Sequence, residues 1–419
     1  MHQSVNAEII SIGDELLYGQ IMDTNSKWLS EEMDKIGIRV VRRTTVGDDE
    51  KSLLDAFNAA SRRADVILMT GGLGPTKDDL TKQLLAAYFG SSLTLFPDAL
   101  EDVRRLFESR GKELTPTNRG QAYLPSNCTY IRNAVGTAPG MWFEEAGKIW
   151  MSMPGVPHEM KYLMEQEVIP RLKKAYRLPV IYHKLIRTVG IGESWLSDLI
   201  SEWEEKLPDH IRLAYLPSLG EVKLRLTGFG TDQDRIASEV EEQIDRLKPL
   251  IPQYIYGYNQ ETLPVAIGHL LTQRGETLAL AESCSGGYIA HLITGIAGSS
   301  NYFNGGIIPY HNAYKEQLLG VSGAVLLQEG AVSEATVIEM ATQVREKFNA
   351  SYGLSSSGIA GPGGGTEEKP VGLVWIACHN GQRCFTRKLQ LTQDRTVNIH
   401  LTAVAALNLL RQTVLQQAE

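Results

Sequence analysis

T-L-A-L-A-E-S-C-S-G-G, residues 277–287, is an apolar strand-like run that ends abruptly in a small polar loop. A helical pattern follows from Gly287, with Tyr288, Ile289, Leu292 and Ile293 on one face. Ser283 and Ser285 therefore stand where a strand hands over to a helix. Backbone N–H groups at such a turn favour negative charge. A hydroxyl there either caps the helix, its commoner role, or is placed to attack a carbonyl. A strand feeding a helix is the repeating unit of an α/β fold, and the rest of the chain can be read outward from it.

Within the same region, 305–310 reads as a strand and leads through His311 into a helix over 315–319. Residues 333–348 form an amphipathic helix. Residues 351–358 form a strand that enters a glycine-rich loop, G-I-A-G-P-G-G-G-T, 358–366. Residues 372–379 and 383–389 pair as a hairpin about Asn380-Gly381, a strong turn dipeptide. Residues 395–410 close the chain as a helix. The region has no H-x-x-x-H, cysteine cluster or acidic ladder, so its chemistry is expected to need no metal. It offers instead Ser283, Tyr310 and Lys315. A serine hydroxyl becomes nucleophilic when a base takes its proton, and a lysine of depressed pKa serves in Ser–Lys sites. A tyrosine can relay the proton or hold the lysine. The amides of Ser285, Gly286 and Gly287 are candidates for an oxyanion hole. Taken singly, Tyr310 also reads as a strand-end aromatic and Lys315 as a solvated helix residue.

Toward the N-terminus, apolar runs at 7–12, 39–46 and 65–70 alternate with helical periodicity at 24–36, 52–60 and 78–88. This order predicts a parallel sheet with helices on both faces and ligand sites at the carboxyl ends of the strands. Two loops fall at such ends: Gly13-Asp14-Glu15, and G-G-L-G-P-T-K-D-D, 71–79. The second is neither a Walker A loop nor G-x-G-x-x-G. Its glycines let an anion approach backbone amides. Asp78 and Asp79, with Asp14, would repel a bare phosphate, so either a divalent cation lies between them or they complement a helix dipole. A further strand pair, 141–144 and 148–152, runs into M-P-G-V-P-H-E-M, 153–160, a strand-to-helix turn with a helix continuing to about 175.

Three domains are expected: 1–175, a small α+β module over 176–255 without a catalytic constellation, and an α/β domain over 256–419. The chain has 419 residues, 43% apolar and 21% charged, with a formal charge of −8. That balance argues against a nucleic-acid binder. Cys128, Cys284, Cys378 and Cys384 lack C-x-x-C spacing, which fits a reducing cytoplasm. M-H-Q-S-V-N-A-E does not read as a signal peptide, and no run approaches the roughly 20 apolar residues of a membrane span. A cytoplasmic protein without membrane partners is expected.

A-E-S-C-S-G-G (281–287), G-G-I-I-P-Y-H-N-A-Y-K-E-Q-L-L-G-V (305–321) and S-G-I-A-G-P-G-G-G-T-E-E-K-P-V-G (357–372) resemble the C-terminal domain of the CinA family. S-I-G-D-E-L-L-Y-G-Q-I-M-D-T-N-S (11–26), M-T-G-G-L-G-P-T-K-D-D (69–79) and M-P-G-V-P-H-E-M resemble its N-terminal half, which is similar to the molybdopterin-binding fold of MoaB, MogA and MoeA. The resemblance implies an α/β fold class, with a MoaB/MogA-like parallel-sheet N-terminal domain and an α/β C-terminal domain on either side of the small α+β module. It also implies two activities. The C-terminal domain is similar to the nicotinamide mononucleotide deamidase PncC, which releases nicotinic acid mononucleotide and ammonia. The N-terminal domain resembles one that hydrolyses ADP-ribose with a divalent metal (Mg, Mn or Co) and potassium. A homodimer is implied as well.

By the resemblance, Ser283 is the nucleophile and Tyr310 and Lys315 its partners. Ser285, Gly286, Gly287, Gly358, Ala360, Gly361 and Arg395 are candidate substrate contacts, Ser285 alternatively a cap. In the N-terminal half the candidates are Gly13, Asp14, Glu15, Thr24, Asn25, Gly71, Gly72, Gly74, Thr76, Pro154 and Gly155, with Asp14, Asp78 and Asp79 as metal ligands. The chain departs from the family at Ser285 (usually Thr), at Pro309, His311, Ala313 and Tyr314, and at Gly363 (usually acidic). A binding or scaffold protein that holds a pterin or nucleotide without turnover, or serves a competence or recombination partner, is the other class of function open at this point.

Overall fold

The computed structural model describes residues 5–74, 79–109 and 111–416. Among them the chain divides into two compact units, Met1–Tyr182 with Phe229–Ile236, and His183–Gly228 with Ala237–Glu419.

In the first unit, Val66–Thr70 is buried at every position, the mark of a strand covered on both faces. It is central in a six-stranded sheet ordered Arg39–Val46, Asn6–Ile12, Val66–Thr70, Lys148–Met153, Gly140–Glu145, Thr129–Ile131. The first four strands are parallel and the last two antiparallel, so the sheet is mixed rather than wholly parallel. Side chains alternate across a strand, and the two cores follow from that. Ile9 packs with Leu29, Met33, Leu68 and Met151, while its neighbour Ile10 packs with Leu53, Phe57, Ile67 and Met69. The helices Thr24–Lys35 and Glu50–Arg63 thus cover opposite faces. Asp23 and Asp49 start them by accepting from the Ser26 and Ser52 amides, both at 2.9 Å. The helix expected from Asp78 begins at Thr81. Parallel alignment brings the loops after all four parallel strands to one edge.

In the second unit the middle module is a four-stranded sheet ordered Ile211–Ser218, Glu221–Gly230, Val180–Val189, Ile255–Tyr258. Beyond it a five-stranded sheet runs Phe303–Ile307, Leu278–Glu282, Tyr352–Gly358, Leu373–His379, Cys384–Gln390. Its first three strands are parallel and the last two antiparallel. Leu278–Glu282 is buried throughout at the centre of the parallel part. Arg395–Gln416, 22 residues long, packs Ala403, Leu407 and Leu410 into one core with Leu278, Leu280, Tyr352 and Ile376.

Val189 and Tyr256 belong to that same core, so the boundary near 255 separates two folds but not two bodies. Arg411 shows how the join is held. It is 4% exposed, and its guanidinium donates to the carbonyls of Gln253 and Ile255 and to Asn408 Oδ1. Arg411→Met strands those carbonyls without donors and is expected to lower stability by about 3 kcal/mol. Urea unfolding of the two chains measures it.

Candidate active site

Ser283 follows the last residue of the buried strand Leu278–Glu282, and its N–H donates to the Ser356 carbonyl at 2.9 Å. The strand pairing therefore fixes where the hydroxyl emerges. Ser283 is only 8% exposed. Lys315 Nζ lies 3.0 Å from Ser283 Oγ and donates to the Pro309 carbonyl at 3.0 Å.

Lys315 is 1% exposed, a rare state for a lysine. His311 Nδ1 accepts from the Ala313 amide at 3.2 Å and starts the short helix Asn312–Tyr314. The chain then widens into a π-helical turn, Lys315–Leu319, with Leu319 anchored among Val321, Met340 and Val344. Burial holds the Lys315 ammonium below the ordinary lysine range, and a raising influence from Cys284 opposes it only in part. A serine hydroxyl beside a lysine of lowered pKa can serve as a nucleophile with its base. Cys284 is no rival, because burial pushes its thiol up to about 12.

The loop differs from expectation in two respects. Neither serine caps the following helix. Ser285, 2% exposed, hydrogen-bonds Ser356 Oγ at 2.6 Å, so its hydroxyl is a buried brace rather than a cap. The cap is Glu282, whose carboxylate accepts from the amides of Gly287, Ile289 and Ala290 at 3.1, 3.0 and 2.8 Å. The proposed oxyanion donors shift accordingly. The Gly286 amide donates to the Ser283 carbonyl and the Gly287 amide to Glu282. Among the described residues, the amides of Cys284 and Ser285 donate to no other residue. Gly286 and Gly287 have φ of 62° and 92°, the left-handed region the turn needs.

The strand expected at 305–310 ends at Ile307, which leaves Tyr310 in the loop beyond it, 56% exposed. Its hydroxyl accepts from Arg395 Nη2 at 2.5 Å, and no hydrogen bond joins it to Ser283 or Lys315. Arg395 opens the last helix, where Asp394 accepts from the Val397 amide, and its Nη1 reaches the Gly361 carbonyl at 2.9 Å. An open cleft of about 590 Å³ is lined on one side by Cys284–Gly287 residues and on another by Tyr310 and Arg395. The glycine-rich loop is held from behind. Asn398, fully buried, donates to the carbonyls of Ala360 and Thr392 and accepts from Thr392. Gly358 serves packing: a Cβ there would lie 2.7 Å from the Leu373 carbonyl.

In the first unit, Gly13, Gly71, Pro154 and Gly155 meet at the carboxyl edge of the sheet. Asn25 Nδ2 donates to Thr70 Oγ1 at 3.0 Å and to the Gly155 carbonyl at 2.7 Å, and Thr70 donates to the Pro154 carbonyl at 3.0 Å. Glu15, Thr24 and Asn25 line a small cavity of about 90 Å³, into which the turn at Gly155 also faces. Asn25 Oδ1 is buried without a partner. Part of the glycine pattern is packing. A Cβ on Gly71 would lie 2.1 Å from the Ile12 carbonyl, and one on Gly72 2.1 Å from Thr81 Oγ1. The Gly74 amide donates to Asp79 Oδ1 at 2.8 Å. Thr76 and Asp78 lie outside the described residues.

Asp48, absent from the expected set, belongs here. It accepts from the Asp14 amide at 3.1 Å, and burial together with the charges of Asp14, Glu15 and Asp79 pushes its carboxyl up. Its position just past the strand Arg39–Val46 is the signal that would have found it. Among the described residues, no three His, Cys, Asp or Glu side chains are grouped closely enough to hold a metal by themselves. Two carboxylates completed by substrate phosphates and water remain compatible with Mg²⁺.

Comparison with known proteins adds the family. Residues 8–174 match the family model described as "Probable molybdopterin binding domain", 183–257 the damage-inducible protein CinA KH domain, and 260–414 the CinA C-terminal domain. A CinA-like protein of Cytophaga hutchinsonii is 48% identical over 412 residues, covering 98% of this chain and 99% of the relative. One of Flavobacterium psychrophilum is 42% identical over 98% and 99% of the two chains. The crystal structure of protein CinA, of unknown function, from Thermoplasma acidophilum shares 34% identity and covers 41% of this chain and 99% of its own, with a TM-score of 0.37.

Proposed function

The chain belongs to the CinA family, and from that premise we propose that its C-terminal domain is an amidohydrolase that converts nicotinamide mononucleotide to nicotinic acid mononucleotide and ammonia. The observation that carries the reading is the buried pair Ser283 Oγ and Lys315 Nζ, 3.0 Å apart. Motif resemblance to the nicotinamide mononucleotide deamidases supports the choice of substrate.

In this mechanism neutral Lys315 takes the Ser283 proton as Oγ bonds to the carboxamide carbon. The carbonyl π pair moves to oxygen, which faces the Cys284 and Ser285 amides. Collapse breaks the C–N bond, and the Lys315 ammonium returns the proton to the departing ammonia. Water then attacks the acyl-serine carbon, giving a proton to Lys315, and Lys315 returns that proton to Ser283 Oγ as the acyl C–O bond breaks and the acid is released. Tyr310 and Arg395 stand across the cleft, where an arginine suits the nucleotide phosphate. The test is ammonia release on mixing the full chain with nicotinamide mononucleotide. Turnover supports the reading, whereas calorimetric binding without product favours a protein that only holds the nucleotide.

A second reading concerns the N-terminal domain and rests on Asp48. Burial, with the charges of Asp14, Glu15 and Asp79 added to it, pushes the Asp48 carboxyl up, and a cation there would relieve the repulsion. We propose that Asp14 and Asp48, joined through the Asp14 amide, hold a divalent ion together with the diphosphate of ADP-ribose and water. The ion would supply charge neutralisation at the phosphates, while the Gly74 region and Asn25 position the nucleotide. ADP-ribose hydrolysis is expected with Mg²⁺ and is expected to vanish with chelator; turnover indifferent to chelator contradicts the metal.

A further inference from the structure

We propose that Glu282 is a positioning residue of the Ser283 site, setting which loop amides remain available to a developing oxyanion. The inference deepens the amidohydrolase reading and rests on Ser283 as nucleophile. Glu282 ends the buried strand Leu278–Glu282 and is 1% exposed. Gly287, at the N-cap of Tyr288–Thr294, has no side chain with which to cap, and neither loop serine does so. Three amides at the start of that helix close on the Glu282 carboxylate instead, Gly287 and Ile289 on Oε2 and Ala290 on Oε1. The remaining loop donors, Gly286 and Tyr288, close on the Ser283 and Ser285 carbonyls.

The chain therefore folds back on the residue immediately before the nucleophile, and five of the amides from Gly286 to Ala290 are consumed internally. Cys284 and Ser285 amides are left, the first being that of the residue after the nucleophile. That is the place where strand-to-helix nucleophile turns supply an oxyanion donor. Because the capping group is a side chain of the strand, it also frees both hydroxyls. Ser283 can face Lys315, and Ser285 can brace against Ser356. A carboxylate is required, since it alone offers acceptors at both oxygens. A carboxamide sets an N–H₂ against at least one amide N–H.

The experiment measures two rates on Glu282→Gln and the unaltered chain. One is ammonia release from nicotinamide mononucleotide. The other is labelling of Ser283 by a fluorophosphonate, followed by mass spectrometry, which needs the activated serine and the oxyanion donors but not the natural substrate. Glu282→Gln is expected to lower kcat and the labelling rate roughly ten- to a hundredfold, with KM within about twofold. A purely structural carboxylate would lower the folded fraction and leave both rates per folded molecule unchanged. That result, or a raised KM at unchanged kcat, overturns the proposal. If Glu282→Gln fails to fold, Glu282→Asp, which keeps the charge on a shorter arm, is read the same way. An unaltered chain that is labelled at Ser283 but releases no ammonia overturns the substrate and leaves the labelling ratio to decide on Glu282. An unaltered chain that is not labelled at Ser283 overturns both.

Discussion

Ser283→Ala is expected to reduce ammonia release from nicotinamide mononucleotide by about four orders of magnitude or more, with nucleotide binding retained. The size follows from what is removed. Where a nucleophile and its base act as a unit, deleting the nucleophile removes nearly all covalent catalysis and leaves only binding and oxyanion donors. The fold should hardly notice the change. The Ser283 side chain has one hydrogen bond, to Lys315, while its backbone N–H, which fixes the loop to Ser356, is untouched. A coupled ammonia assay and calorimetry with the same nucleotide check the two halves of the prediction. Activity close to that of the unaltered chain would remove Ser283 from the mechanism.

Lys315→Met carries the second large effect, a loss of similar size, because Ser283 then has no base within reach. Its pH behaviour distinguishes it from a mere packing change. The folded-state pKa of Lys315 is lowered by burial, so the neutral, base-competent form gains population at lower pH than in an exposed lysine. In the unaltered chain kcat/KM should rise with pH through that lowered value; in Lys315→Met the residual rate should lack this limb. Stability moves with the same group. Between the lowered folded pKa and the ordinary unfolded value near 10.5, the unfolded chain binds more protons, so stability rises with pH across that window. Below it both states carry the proton, and the folded chain bears the full cost of burying the Lys315 ammonium. The melting temperature of Lys315→Met relative to the unaltered chain should therefore be highest at the low-pH end and fall as pH rises through the window. A difference independent of pH would mean that Lys315 is charged to the same extent in both states.

Much of this architecture is visible along the chain because it depends on local periodicity. Val66–Thr70 reads as a doubly covered strand from five residues alone, and the 3.6-residue apolar pattern of Thr24–Lys35 places Leu29 and Met33 on one stripe. Less was visible at the edges. The sheet of the first unit turns antiparallel after Lys148–Met153 because two strands join by a tight turn at Ala146-Gly147, both with positive φ, a geometry that the residue types permit but do not announce. Asp48 lies outside any motif, and only the parallel alignment of strands brings it beside Asp14 and Asp79.

The sequence by itself determined the α/β class, the strand-to-helix turn at Ser283, and the spacing that puts a tyrosine and a lysine downstream of it. Each of these follows from the residues of one short segment and the dihedral preferences of its backbone. Tertiary structure alone decided which groups meet. Lys315 is a buried partner of Ser283 rather than a solvated helix residue because a π-helical turn and the Leu319 anchor bury it 3.0 Å from Ser283 Oγ. Tyr310 faces Arg395 rather than the lysine because its strand ends three residues earlier than the apolar run suggests. The amides open to an oxyanion are those of Cys284 and Ser285 because Glu282 takes the ones that follow. Hydrogen-bond partners and burial depend on segments far apart in the chain, and no local pattern encodes them.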